Sequence, residues 1–283
     1  MGSKLSVNNH RADVIGLQYI YPVLSRRAGG LSIGINFNTN NTCNWRCVYC
    51  QVPDLTIGAA PSIDFDMLAH ELRTFLTDVL HGDFYDRFEV DADKRVIKDI
   101  AIAGNGEPTT LKEFAQAVGL IGQIATDMGV FPDSDYVLIT NGSLVHLPRV
   151  QEGLRVLNDY QGQVWFKFDS ATEEGRTLVN NANQSCQAAV QNLLTASELC
   201  QTKLQTCLFD FAGRGLPDTE KQAYLQVLRD IQNHCKLRRI MLYTIARPSA
   251  QPEAAQLAKL PEATLQAFAE DIRRLGYEVS VSV

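Results

Sequence analysis

Cys43-Asn44-Trp45-Arg46-Cys47-Val48-Tyr49-Cys50 places three thiols within eight residues, at the spacing C-x3-C-x2-C, with an aromatic side chain directly before the last thiol. A structural metal site normally takes four protein ligands, so three at this spacing leave one metal position for something else. Iron–sulfur clusters are held by Cys thiolates. A four-iron cluster tied at three irons keeps its fourth iron open to a small molecule. Two other readings compete. A zinc site needs a fourth ligand, and the next candidates along the chain are as distant as His70 and His81. Ordinary buried thiols would pack as small apolar groups and would not need this spacing on a polar loop.

The rest of the composition describes an ordinary globular chain. Its 283 residues are 45% hydrophobic and 20% charged, enough for one large α/β domain with a sizeable core. No apolar run reaches the roughly 18 residues of a membrane span, and no secretory signal is readable. A reducing, cytoplasmic location is therefore expected, with thiolates available to metal. Cys186, Cys200, Cys207 and Cys235 are scattered singly and are expected to pack as apolar residues. The opening Met1-Gly2-Ser3-Lys4-Leu5-Ser6 fits a myristoylation pattern, read here as accidental. A net charge of −6 weighs against a large nucleic-acid surface.

Outward from the cysteines, strand and helix patterns alternate. Leu31 to Asn38 reads as a strand ending at the cysteine loop, and Asp64 to Leu80 has helical apolar spacing. Phe84 to Lys98 is expected to hold a small hairpin turning at Asp91–Lys94. A strand follows from Ile97 to Ala103. Thr110 and Glu113 then form the pattern of a capping box. Further strands are expected at Tyr136–Thr140, Val164–Asp169, Lys203–Phe209 and Arg239–Ile245, and a closing strand at Tyr277–Val283. The intervening helices are expected at His146–Leu157, Ser185–Leu199, Asp218–Asn233 and Pro261–Leu275. About six β-α units imply parallel strands with right-handed crossovers. A doubly wound sheet is one solution. Polar motifs after nearly every strand favour the other, a partial (β/α)6 barrel, whose active site lies at the C-terminal strand ends. Residues 1–30 are read as an extension packing on the barrel and 31–283 as the barrel domain.

Those motifs carry the candidate chemistry. Gly104-Asn105-Gly106-Glu107-Pro108-Thr109 follows the second strand. Its glycines permit close backbone approach, and its carboxylate suits an ammonium group; a simple turn into the next helix is the alternative. Asn141 follows the third strand. Lys167 and Asp169, two apart at the end of the fourth, share one face. They either serve a ligand or form a buried ion pair. Gln205 lies on the fifth strand. Tyr243 and Arg247 close the sixth, and Arg247 is an anion-binding candidate; Arg214, in the loop Ala212–Gly215, is a weaker one.

The cysteine motif with the glycine-rich loop resembles the radical S-adenosylmethionine (radical SAM) superfamily, over roughly residues 19 to 248. The lead-in from Pro22 through Ser25-Arg26-Arg27-Ala28-Gly29-Gly30 is similar to a branch grouped with wyosine-type tRNA base synthetases, with Leu24 interrupting the pattern. The resemblance implies a partial barrel in which Cys43, Cys47 and Cys50 bind a [4Fe–4S] cluster and SAM takes the open iron. It further implies cofactor-binding roles for Tyr49, Gly104, Asn105, Gly106, Glu107, Asn141, Lys167 and Asp169, with Glu107 near the SAM amine. Lys167, Asp169, Tyr243 and Arg247 are the expected catalytic group, and Arg247 and Tyr243 are expected to meet substrate far round the barrel from the cluster. The implied partners are an electron donor such as flavodoxin or ferredoxin and a small-molecule or protein substrate. A tRNA substrate is the second possibility, disfavoured by charge. A non-catalytic iron–sulfur or zinc-binding protein is the third.

Overall fold

The computed structural model describes residues 16–25 and 29–283. The Met1–Ser6 match and Arg26–Ala28 of the lead-in lie outside them. The chain opens with strand β1 (Ile20–Ser25), which pairs antiparallel with β2 (Gly30–Ile35). Two short strands, β3 (Thr42–Cys43) and β4 (Thr56–Ile57), then frame the cysteine loop. Helix α1 (Phe65–His81) is capped by Asp64, whose side chain accepts from the Met67 N–H, and buries Leu68, Leu72, Phe75, Leu76 and Val79 along one face. The chain continues through α2 (Phe84–Arg87), β5 (Ile97–Ile102), α3 (Phe114–Asp127), β6 (Asp135–Thr140), α4 (Pro148–Asp159), β7 (Gln163–Lys167), α5 (Glu173–Asn180) and α6 (Cys186–Leu199). It finishes with β8 (Gln201–Cys207), β9 (Phe209–Phe211), α7 (Asp218–Ile231), β10 (Leu237–Tyr243), β11 (Leu257–Lys259), α8 (Glu262–Arg273) and β12 (Val279–Ser282).

One eight-stranded sheet runs β1-β2-β5-β6-β7-β8-β10-β12. Every pairing from β2 to β12 is parallel. Six strands, β2, β5, β6, β7, β8 and β10, are each followed by a helix, and β12 completes the sheet. The architecture is the partial barrel of parallel strands that the alternation implies. Strand residues such as Ile33, Ile100, Leu138, Phe166, Leu204 and Ile240 are buried with the inner faces of the helices in one continuous core. Among the described residues no helix is long and apolar enough to cross a membrane.

Two local expectations fail for identifiable reasons. Phe84–Lys98 is not a hairpin but the short helix α2 and a 3-10 turn at Ala92–Lys94. Phe84 is buried, with ring centroids 5.2 Å from Phe75 and 4.8 Å from Phe88, so aromatic packing against α1 shapes this stretch. Thr110 and Glu113 form no capping box. Thr110 ends a 3-10 turn (Pro108–Thr110), its hydroxyl donating to Glu107 O at 2.6 Å and accepting from Ala60 N at 2.9 Å. Helix α3 starts only at Phe114, without a side-chain cap.

Candidate functional site

The cysteine loop leaves the C-terminal end of β2, and residues from most of the other strand ends turn back onto it. Between strand and thiols, Asn36 Oδ1 accepts from Asn38 N (3.0 Å) and Asn105 N (3.1 Å). Asn38 Nδ2 donates to Thr42 O at 2.9 Å, and Asn105 Nδ2 to Asn41 Oδ1 at 2.7 Å. The glycine-rich loop after β5 therefore lies directly on the segment leading to Cys43. A Cβ on Gly104, whose φ is +156°, would stand 2.3 Å from Asn36 Oδ1, and one on Gly106 only 1.9 Å from Thr42 O. The close backbone approach that these glycines permit is thus first of all an approach to the chain itself.

Glu107 is buried at 2% exposure and organises the next strand end. Its Oε1 accepts from Thr109 N (3.1 Å), Thr109 Oγ1 (2.6 Å) and Thr140 Oγ1 (2.6 Å), and its Oε2 from Asn141 N (2.7 Å). Burial raises its carboxyl above the usual range, against the pull of those four donors. Oε1 is crowded; Oε2, with one donor, keeps acceptor capacity. Asn141 passes the contact on, its Nδ2 donating to Asn44 Oδ1 at 2.9 Å while Asn44 Nδ2 donates to Ser143 Oγ at 2.7 Å.

Lys167 and Asp169 do face the same way. Lys167 Nζ lies 3.8 Å from Asp169 Oδ1 and donates to Tyr243 OH at 2.9 Å. It also stands over the rings of Tyr49 and Tyr243, at 5.0 and 5.5 Å. Asp169 accepts from Tyr49 OH (2.5 Å), Asn180 Nδ2 (2.9 Å) and Cys207 N (2.9 Å). Burial is the largest single influence and would depress the Lys167 ammonium, but Asp169 together with the Tyr243, Cys207 and Cys47 groups around it more than offsets this and holds it above its ordinary value. Arg247 and Tyr243 are not remote from the thiols, contrary to expectation. Arg247 donates to Gln51 Oε1 at 3.2 Å, next to Cys50. The segment after β10 lies along the cysteine loop, with Ser249 Oγ donating to Val48 O (2.7 Å) and Cys50 O (3.0 Å) and Ala250 N donating to Cys50 O (2.9 Å). A small apolar cluster of Val48, Cys207 and Phe209, flanked by Tyr49 and Tyr243, draws the two loops together.

Cys43, Cys47 and Cys50 are unbridged and half-buried. Burial pushes their thiols up, Cys43 to about 12 and Cys47 to about 11; metal ligation would reverse this by deprotonating them. Among the described residues no group of three His, Cys, Asp or Glu is gathered so as to hold a single ion. A cluster, with each thiolate on a different iron, does not need that convergence. The donor set fits a cluster in a second way, since a buried amide, Asn180 Nδ2, donates to Cys47 Sγ at 3.2 Å, a bond suited to a thiolate. Sequence reading missed Asn180 and its helix α5, although Thr172-Glu173-Glu174 is a readable N-terminus. It also missed Asn44, Ser143 and Glu253; the last holds Arg46 at 2.7 and 2.8 Å. These are long-range partners without a local signal. Cys200, Cys207 and Cys235 are buried as expected, while Cys186 is half-buried. Gln205 is buried within β8.

No family profile matches the chain. Over 155 residues it is 30% identical to the protein named GTPase Obg of Brachyspira hyodysenteriae, covering 54% of this chain and 19% of that protein. No phosphate-binding G-x4-G-K-[ST] sequence occurs here. It is 23% identical over 231 residues to a UPF0026 protein of Helicobacter pylori (strain J99), covering 81% of this chain and 66% of that protein. The chain thus spans about a fifth of the first relative and just under two-thirds of the second. Among solved structures it resembles a radical SAM methyltransferase from Sphaerobacter thermophilus, with a TM-score of 0.61 and 12% identity over 93% of this chain and 68% of that one. It also resembles TYW1 with a lysine-pyruvate adduct bound, with a TM-score of 0.56 and 12% identity over 94% and 85%. With its cysteine loop at the end of the first parallel strand, this chain has the radical SAM fold.

Proposed function

We propose that the chain is a radical SAM enzyme in which Cys43, Cys47 and Cys50 hold three irons of a [4Fe–4S] cluster and SAM takes the fourth. Bound together, these groups supply reductive cleavage of SAM and hydrogen-atom abstraction from substrate, with the electron coming from a donor such as flavodoxin or ferredoxin. The supporting observation is the placement of the thiol loop against the C-terminal ends of β5, β6, β7 and β10, where Glu107, Asn141, Lys167, Asp169 and Tyr243 converge. Glu107 Oε2 offers an acceptor for the SAM amine. Asn141 fixes the turn after β6 beside the cysteine loop. Lys167 presents a held positive charge, Asp169 keeps Tyr49 in place, and Arg247 offers its guanidinium to an anionic substrate group at the edge of the loop. Loops covering the strand ends would keep water from the reacting centre.

The net charge of −6 favours a metabolite or peptide over tRNA, whose many phosphates call for basic surface. Anaerobic reconstitution tests the cofactor assignment, with about four irons per chain expected. Cys43→Ala, Cys47→Ala and Cys50→Ala should each abolish iron loading, while Cys186→Ala should not. With dithionite and SAM the loaded protein should slowly release 5′-deoxyadenosine. Stoichiometric zinc with no iron uptake would overturn this reading. Sub-micromolar tRNA binding that collapses between low and moderate salt would replace the metabolite or peptide by RNA.

A further inference from the structure

Three consecutive residues at the end of α5 each bond to the cysteine loop. Val179 O accepts from Val48 N at 2.8 Å, Asn180 Nδ2 donates to Cys47 Sγ at 3.2 Å, and Asn181 Nδ2 donates to Arg46 O at 2.7 Å. Asn181 takes the left-handed conformation, φ 48°, that ends the helix there. Behind them, Arg176 is 1% exposed and stacks 5.4 Å over Trp45, so the last turn of α5 is anchored to the motif along its length.

Asn180 is itself 1% exposed, and its amide is shielded from water. Its two N–H groups go to different acceptors, the Cys47 sulfur and, at 2.9 Å, Asp169 Oδ2. The orientation of the amide follows from these neighbours, because the flipped form would set its oxygen against a carboxylate. A neutral thiol is a weak acceptor, and such a bond offsets little of the cost of burying the donor. A ligating thiolate is a far better acceptor.

On the reading that Cys47 ligates a cluster, we propose that Asn180 is the positioning residue of that cluster. One N–H orients the Cys47 sulfur and raises the reduction potential; the other ties that sulfur to the Asp169, Tyr49 and Lys167 group. Hydrogen bonds to cluster sulfurs tune potential, and the direction follows from charge. The reduced cluster carries one more negative charge, so an N–H donor stabilises it more than the oxidised form.

The test is a reductive titration of anaerobically reconstituted protein, followed by electron paramagnetic resonance, with iron content measured on the same samples. Asn180→Asp keeps the side-chain size and Asn180→Leu the branched shape with somewhat larger bulk, and both remove the N–H to sulfur. Either variant that loads iron should show its reduction equilibrium shifted about tenfold toward the oxidised cluster, or about 59 mV lower for a one-electron couple. Loss of iron from both variants, with the far-ultraviolet spectrum retained, would support the positioning of Cys47. A variant with full iron and the wild-type potential would overturn the assignment of Asn180 while leaving the cluster reading intact. Absence of iron from the wild-type protein would overturn both.

Discussion

Replacing Gly106 by Ala tests whether the glycine-rich loop braces the cysteine loop. The added Cβ would lie 1.9 Å from the Thr42 carbonyl oxygen and 2.7 Å from Asn38 Nδ2. Carbon and oxygen in contact sit at roughly 3.3 Å, so the Thr42 carbonyl would have to retreat by about 1.4 Å. It cannot do so alone. It accepts from Asn38 Nδ2 at 2.9 Å, and Thr42–Cys43 pairs with Thr56–Ile57. Overpacking of this kind costs about 1–3 kcal/mol, and the strained Asn38 bond adds about 1 kcal/mol, for a loss of about 2–4 kcal/mol. Gly119→Ala is the control: it lies in α3, and its Cβ would meet only Val156 Cγ1, at 3.6 Å. It should be stabilising by up to about 1 kcal/mol through helix propensity. The assay is urea unfolding of the reduced, metal-free proteins, followed by iron uptake. Gly106→Ala should unfold earlier and bind less iron, because Cys43 follows Thr42 directly. Stability within about 0.5 kcal/mol of wild type, a typical surface-substitution effect, together with full iron loading would refute the bracing.

Lys167→Met should destabilise the protein by about 3 kcal/mol, because it leaves the Asp169 carboxylate, 1% exposed at its side chain, without its cation; urea unfolding measures it. Glu107→Gln should cost about 1–3 kcal/mol, since one of the carboxylate's two oxygens becomes an NH2 facing donors. It should also weaken SAM binding in calorimetric titration, and unchanged SAM affinity would remove Glu107 from the site. Asp99 governs a pH effect. Its carboxyl is pushed up to about 6, chiefly by burial, against the Ser32 hydroxyl that donates to it and with Asp135 adding to the rise. The folded-state value lies above the unfolded one, so the contribution of this group is fully present below about pH 4 and is lost as pH rises through about 6. The loss is of order 3 kcal/mol. Asp99→Asn should flatten the wild-type decline across that window in pH-dependent unfolding, and an equal decline in both proteins would exclude Asp99 as its source.

The sequence by itself determined the alternation of strands and helices, the six β-α units and the thiol triplet. These are local signals: apolar periodicity records which face each element buries, and a metal loop needs its ligands close along the chain. It also placed Gly104 to Glu107, Asn141, Lys167, Asp169 and Tyr243 at strand ends, which parallel topology gathers on one face of the sheet. What only the tertiary structure decided is which of these touch, and through what. Lys167 meets Tyr243 across 76 positions, Asn180 meets Cys47 across 133, and Ser249 meets Val48 across 201. No local pattern encodes such pairs. They arise when parallel strands curve round and bring the loop after β10 beside the loop after β2. The hairpin expected at Phe84–Lys98 and the capping box expected at Thr110 failed for the same physical reason. Phe84 found its place in an aromatic cluster with Phe75 and Phe88, and the Thr110 hydroxyl found Glu107 O and Ala60 N, so tertiary partners outbid the local ones.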